Sequence, residues 1–209
     1  MIAERSFLGV SFARLRGAVV VWLIALTVLG SARDQEIIGD NLQVALPIIA
    51  LGCEVANGSG VEYFGRYLVM FVGLRTSKVA LGDTPINIRP HGGGQGFPSG
   101  HTATAAFGAG SLVSTCLKSN PVAQMAAILA AGFTGASRIE ARAHDIWQVL
   151  AGAIWGLLCN YAFRRAGPGR RAVGAGLRAA RRGSGRAARR VAGWLGAGVG
   201  ALRRRLSGG

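Results

Sequence analysis

Acidic residues are few in this chain of 209 residues: nine Asp and Glu stand against 24 Lys and Arg, for a net charge of +15, and no acid follows Asp145. From Arg164 to Gly209 there are 13 Arg and no acid, so the first 163 residues, with 11 basic and 9 acidic groups, carry only +2. That split excludes an ordinary nucleic-acid-binding domain, whose positive charge lies on the folded unit. Cysteine is scarce too. Cys53, Cys116 and Cys159 sit in apolar stretches without a CxxC pair, a pattern that argues against a disulfide framework or a zinc site and predicts three small packing residues. No Gly-Lys-Ser/Thr follows the glycine cluster, which excludes a Walker-type nucleotide site. No acidic cluster has metal-ligand spacing, so the predicted chemistry uses no metal and no cofactor.

What the chain does have is apolar sequence: 50% of residues are hydrophobic and the mean hydropathy is +0.36. Charge-free or nearly charge-free runs recur at Gly17–Ala32, Asn41–Cys53, Val61–Leu74, Thr102–Leu117, Ser119–Ser137 and Ile146–Phe163. A spanning helix needs about 20 mostly apolar residues, with a lower limit near 17. Only the last two runs meet that length unaided; the others need flanking side chains to snorkel. The pattern predicts an all-α polytopic membrane bundle of about six transmembrane helices over residues 1–163, against the alternative of a soluble bundle with buried helices. Interior glycines such as Gly108, Gly152 and Gly156 suit close helix approach in a bilayer.

Arg5, Arg14 and Arg16 precede the first run, Lys118 lies between the fourth and fifth, and the arginine-rich tail follows the sixth. With six spans all of these fall on one side, which the positive-inside rule makes cytoplasmic. The expectation is a bacterial-type inner-membrane protein with both termini inside and its first segment an uncleaved anchor rather than a signal peptide. The tail, 164–209, places apolar residues from Val191 to Leu206 near a helical face, which suits an interfacial helix on anionic headgroups. A solvated tail fits as well, and no nucleic-acid partner is expected. The sequence does not define the oligomeric state.

The loops then facing outward hold the polar residues with catalytic potential. One carries Lys78, Arg89-Pro90, His91, a glycine cluster and Pro98-Ser99-Gly100-His101; the other carries Ser137-Arg138, five residues, then His144, Asp145 and Gln148. Free N–H groups at a helix start after Ser99 make an anion site. Arginine suits bidentate phosphate contact, and two histidines can serve as nucleophile and general acid.

Arg89-Pro90, Pro98-Ser99-Gly100-His101 and Ser137-Arg138-x5-His144 together resemble the three-part signature of the type 2 phosphatidic acid phosphatase and haloperoxidase-like superfamily, in its integral-membrane branch. The resemblance covers roughly residues 75–155. It implies that His144 attacks phosphorus to form a phosphohistidine and that His101 protonates the leaving oxygen. Lys78, Arg89, Arg138 and the Ser99–Gly100 region would hold the phosphate oxygens. Two departures stand out. Ten residues, Val79 to Ile88, separate Lys78 from Arg89 where the family has six, and Gly82 occupies the family's lysine position. Gln148 occupies the place of the carboxylate four residues after the nucleophile. Positions 144 and 148 share a helix face, so Gln148 ranks first as the orienting partner of His144, ahead of Glu140 and Asp145.

The function expected is a membrane phosphatase acting on a lipid phosphate or diphosphate. Two other classes compete with it. One is a catalytically impaired lipid-binding or scaffolding protein that keeps the fold. The other is a transporter, disfavoured because the polar groups cluster at one face rather than at mid-membrane.

Overall fold

The computed structural model describes residues 2–31 and 34–164, with 2–13 described by backbone alone. The tail expected from 164 onward, with its interfacial pattern at Val191–Leu206, lies outside the described residues except for Arg164. Six helices follow one another, with no strand among the described residues: α1 Ile2–Gly30, α2 Gln35–Ala56, α3 Gly60–Leu81, α4 Gly100–Ser111, α5 Pro121–Glu140 and α6 Ile146–Ala162. A 3-10 turn, Pro85–Asn87, punctuates the α3–α4 loop, and a π turn, Leu112–Cys116, follows α4.

Local chemistry sets the helix starts. Asp34 accepts from Glu36 N at 2.8 Å to cap α2, Asn120 from Ala123 N at 3.1 Å to cap α5, and Asp145 from Gln148 N at 2.8 Å to cap α6. Each satisfies a donor that the helix itself leaves free. Several helices overrun the apolar runs that predict them, and α1 begins at Ile2 rather than near Gly17. α2 begins at Gln35 rather than near Asn41, and α3 continues past Leu74 to Leu81, where Gly82 turns the chain at φ 49°. The connections that the apolar runs leave between the first and second and between the third and fourth segments are therefore partly helical. Helix hydrogen bonding does not stop where hydrophobicity does.

α4 is the centre of the bundle, buried along Thr102–Ala109 and packed by α2, α5 and α6. α3 packs on α2 and α6; α1 packs on α2 and α5, contributing Val20 and Ile24 to the core. The α4–α6 seam depends on missing side chains. A Cβ on Gly152 would lie 2.4 Å from Ser99 O, and one on Gly156 2.2 Å from Ala103 O, so backbone meets backbone at both positions.

The end of the bundle away from the α4 N-terminus is tied by buried charge. Arg66 pairs with Glu54 at 3.3 Å and donates to Asn160 O at 2.8 Å, while Glu54 also accepts from Ser59, Ser111 and, at 3.1 Å, Thr115. Arg164 joins this knot through Asn160 O at 3.2 Å and through Ser114.

Beside the knot, Cys53 and Cys116 form a disulfide with Cα atoms 6.3 Å apart, and only Cys159 is free and buried. This corrects the expectation of three unpaired packing cysteines. The pair is 63 residues apart in sequence and meets because the π turn brings Cys116 onto α2, a juxtaposition without a local signature.

Of these helices, α2 and α5 are long and apolar enough to cross a membrane, and α6 is apolar but shorter at 17 residues. The apolar runs alone predict α5 and α6 as the two that qualify, so α2 takes the place of α6. α2 gains its length from the residues ahead of Asn41.

Candidate active site

The N-termini of α2, α4 and α6 and the C-termini of α3 and α5 meet at one end, and the predicted residues gather there. A short loop, residues 141–145, turns the chain from α5 into α6. It contains Arg142 at φ 51°, and the N–H groups of Ala143 and His144 both donate to Arg138 O, at 3.0 and 3.1 Å. His144 is thereby fixed directly ahead of α6 and is 3% exposed.

His144 Nδ1 lies 2.9 Å from Gln148 Oε1. Gln148 is fully buried, and its Nε2 donates to Ile86 O at 3.0 Å and Ile88 O at 2.8 Å. Both amide hydrogens are spent on carbonyls, so the oxygen must be the end that faces His144. Nδ1 therefore carries the hydrogen and donates it, and Nε2 keeps its lone pair. Gly96 makes room for this amide: a Cβ there would lie 2.5 Å from Gln148 Nε2. Burial, opposed by the Gln148 bond and reinforced by the charges of Lys78 and Arg89, pushes the His144 imidazole down to about 4. It is neutral at ordinary pH. The other candidate partners are placed elsewhere: Asp145 caps α6, and Glu140 is exposed on α5, because the chain is not helical between 140 and 144.

Ser99 stands at the N-cap of α4, fully buried, with its hydroxyl accepting from Thr102 Oγ1 at 3.0 Å. Its backbone N–H donates to Gln148 O at 2.9 Å, so it cannot also meet an anion. The free donors at this helix start begin with Gly100. His101, in the first turn, directs Nε2 toward Asp40 Oδ1 at 3.2 Å. Burial lowers its proton affinity, as do Arg138, Arg89 and Lys78, while Asp40 raises it.

Arg138 is buried on α5 and spans to α2, with NH1 2.9 Å from Asp40 Oδ1 and 3.4 Å from Glu36 Oε1, and with NH2 donating to Glu36 O at 2.8 Å. Gly39 permits this approach, since a Cβ there would lie 2.0 Å from Ser137 Oγ. Glu36 and Asp40 are the residues that sequence reasoning missed. Four apart, they share a helix face; that signal was present but hidden while the segment was read as a loop.

Lys78 is buried in the last turn of α3 with Nζ on Gln95 O; burial, Arg89 and Arg75 lower its ammonium to about 8. The α3–α4 loop folds around Asn87, whose side chain donates to Lys78 O at 3.0 Å and Gly82 O at 2.7 Å and accepts from Phe97 N at 3.0 Å. The same loop offers the Ile86 and Ile88 carbonyls to Gln148, and Arg89 follows Ile88 directly in the chain. The ten-residue spacing therefore does not separate Lys78 from Arg89; both charges act on His144.

The site thus combines a neutral imidazole of fixed tautomer, a second imidazole beside a carboxylate, three buried or half-buried cations and a helix N-terminus, an arrangement suited to phosphoryl chemistry. Residues 20–172 match the family model of the PAP2 superfamily. No curated protein and no solved structure matches the chain. The matched region takes in all five helix ends that form the site and well over half of the sequence, and on that ground the chain belongs to the PAP2 superfamily, whose members are phosphatases and haloperoxidases.

Proposed function

We propose that this protein is a membrane phosphatase that hydrolyses a lipid phosphate or diphosphate through a phosphohistidine on His144. The observation that carries this reading is the double use of the Gln148 amide, which leaves His144 Nε2 unprotonated in a site rich in cations. In the reaction, the Nε2 lone pair attacks phosphorus as the bond from phosphorus to the lipid oxygen breaks, and His101 gives that oxygen a proton. Water then attacks the phosphohistidine, its proton passes to His101, and inorganic phosphate leaves. Lys78, Arg89, Arg138, the Ser99 hydroxyl and the Gly100 N–H hold the oxygens on which charge develops.

A lipid substrate and a six-span arrangement draw support from the outer surface. Large apolar side chains such as Trp22, Ile48, Leu129 and Tyr161 are exposed on α1, α2, α5 and α6, far more than a soluble monomer presents. The charge distribution supports cytoplasmic termini and an outward site at headgroup level in an inner membrane, with the arginine-rich tail on anionic lipid. A non-catalytic lipid-binding role is favoured by one observation, the carboxylates of Glu36 and Asp40 already on Arg138.

Rapid quenching of the full chain in detergent with 32P-labelled lipid phosphate separates the two readings. The phosphatase yields acid-labile label on Nε2 of His144, since Nδ1 is committed to Gln148, and none in His144→Ala. Binding of the lipid with neither label nor phosphate release identifies the scaffold.

A further inference from the structure

The α3–α4 loop and the end of α3 border an open cleft of about 660 Å³, whose lining includes Lys78, Arg89, His91 and the Gly92–Gln95 segment. This volume falls within the range of small-molecule sites, about 300–1,000 Å³, and is larger than one phosphate group requires. We propose that it is a second anion-binding subsite, sharing Lys78 and Arg89 with the catalytic centre, that receives the second phosphoryl group of a diphosphate substrate. The inference rests on the phosphatase reading and narrows its substrate class.

Charge balance is the first argument. Arg66 is paired with Glu54, and Arg138 with Glu36 and Asp40. Among the described residues, Lys78 and Arg89 make no ion pair, and the buried Nε of Arg89 has no acceptor. Asp83, exposed on the cleft wall, is the single carboxylate of the lining. Two neighbouring cations lowering each other's stability in a partly buried site favour an anion between them.

The second argument is the backbone. Arg89 N donates to Gly93 O and Gly92 N to Arg89 O, both at 2.9 Å, closing a tight turn with Gly92 at φ 94°, Gly93 at φ 84° and Gln95 at φ 62°. The N–H groups of Gly93, Gly94 and Gln95 donate to no protein acceptor among the described residues. Successive free N–H groups in such a turn make an anion-binding concavity. Val79 is the only large apolar residue on the wall, so the cleft suits a polar group rather than an acyl chain.

The test measures binding of methylphosphonate and methylenediphosphonate to the full-length protein in detergent by titration calorimetry. Wild type should bind one diphosphonate per chain, about tenfold or more tightly than the monophosphonate, a difference of about 1.4 kcal/mol or more. His91→Ala removes a wall donor. Gly94→Asp adds a carboxylate where a Cβ meets only Asp83 Oδ1 at 4.0 Å. Collapse of the preference in either variant, with monophosphonate affinity kept, supports the subsite. Equal affinities in wild type, a preference unchanged in both variants, or a separate phosphate bound beside saturating diphosphonate overturns it. Turnover of a lipid monophosphate is followed in parallel. Its absence counts against the phosphatase reading while the binding result stands; turnover without a diphosphonate preference removes the second subsite alone.

Discussion

Gln148 Oε1 accepts from His144 Nδ1 at 2.9 Å while Gln148 Nε2 donates to the carbonyls of Ile86 and Ile88. An amide suits this position better than a carboxylate, because two of the three contacts require a donor. Gln148→Glu would set a carboxylate oxygen against two carbonyl oxygens and leave both buried acceptors unmet, at about 1–3 kcal/mol each. The expected outcome is a midpoint of thermal unfolding lowered by several degrees, about 2–4 °C per kcal/mol at this size, with no gain in activity. Gln148→Ala should fold but lose about 10²-fold in kcat through a misplaced imidazole.

The pH profile follows from the two histidines. In the proposed mechanism His144 acts as its neutral form, and it sits at about 4, so kcat/KM for a lipid substrate should fall on the acid side near pH 4, not near 6.5. His101 must carry a proton and is held below 6.5, which places the alkaline limb of the free enzyme under that value. A further loss of substrate affinity should appear above about pH 8, as Lys78 gives up its charge. The stability consequence has one sign: the folded protein keeps His144 neutral, so the unfolded chain binds more protons between pH 6.5 and about 4, and stability declines as pH falls through that window.

Asp40 stands beside His101 at 3.2 Å and should matter most when the leaving oxygen needs a proton. Asp40→Asn is expected to slow hydrolysis of an alkyl lipid phosphate by about 10²-fold, within the range of general acid catalysis. Turnover of p-nitrophenyl phosphate, whose leaving group departs unaided, should change far less. Asp40→Glu should recover part of the loss. An equal drop on both substrates would make the contact purely structural.

At the opposite end, Arg66→Ala strands Glu54 inside the bundle, and breaking one half of a buried pair costs about 3–5 kcal/mol. Thermal unfolding in detergent should show a strong destabilisation. The double variant Arg66→Met with Glu54→Leu should recover most of it, since neither partner of the pair is then left without the other.

Much of this organisation is readable from the chain. The helix count follows from six apolar runs, and the gathering of Arg89, Ser99, His101, Arg138 and His144 follows from motif spacing and the side on which the loops fall. Helix limits were less legible, because Asp34 and Gly82 set them by capping and turning rather than by hydrophobicity. That shift hid Glu36 and Asp40, which enter the site only once α2 starts at Gln35. The Cys53–Cys116 contact was not legible at all, since it depends on how the π turn meets α2. Glu140 failed as a partner of His144 for a related reason: four residues make a shared face only if the backbone between them stays helical.

The hydrogen bond from Ser99 N to Gln148 O, together with the close backbone approach at Gly152, welds the start of α4 to the first turn of α6. In the proposed mechanism, the anion cradle and the residue that aims the nucleophile are therefore parts of a single joint. No lateral slip between these helices can disturb one without the other, so alignment at the reacting centre is all-or-none. Catalytic competence and the integrity of this seam should disappear at one temperature.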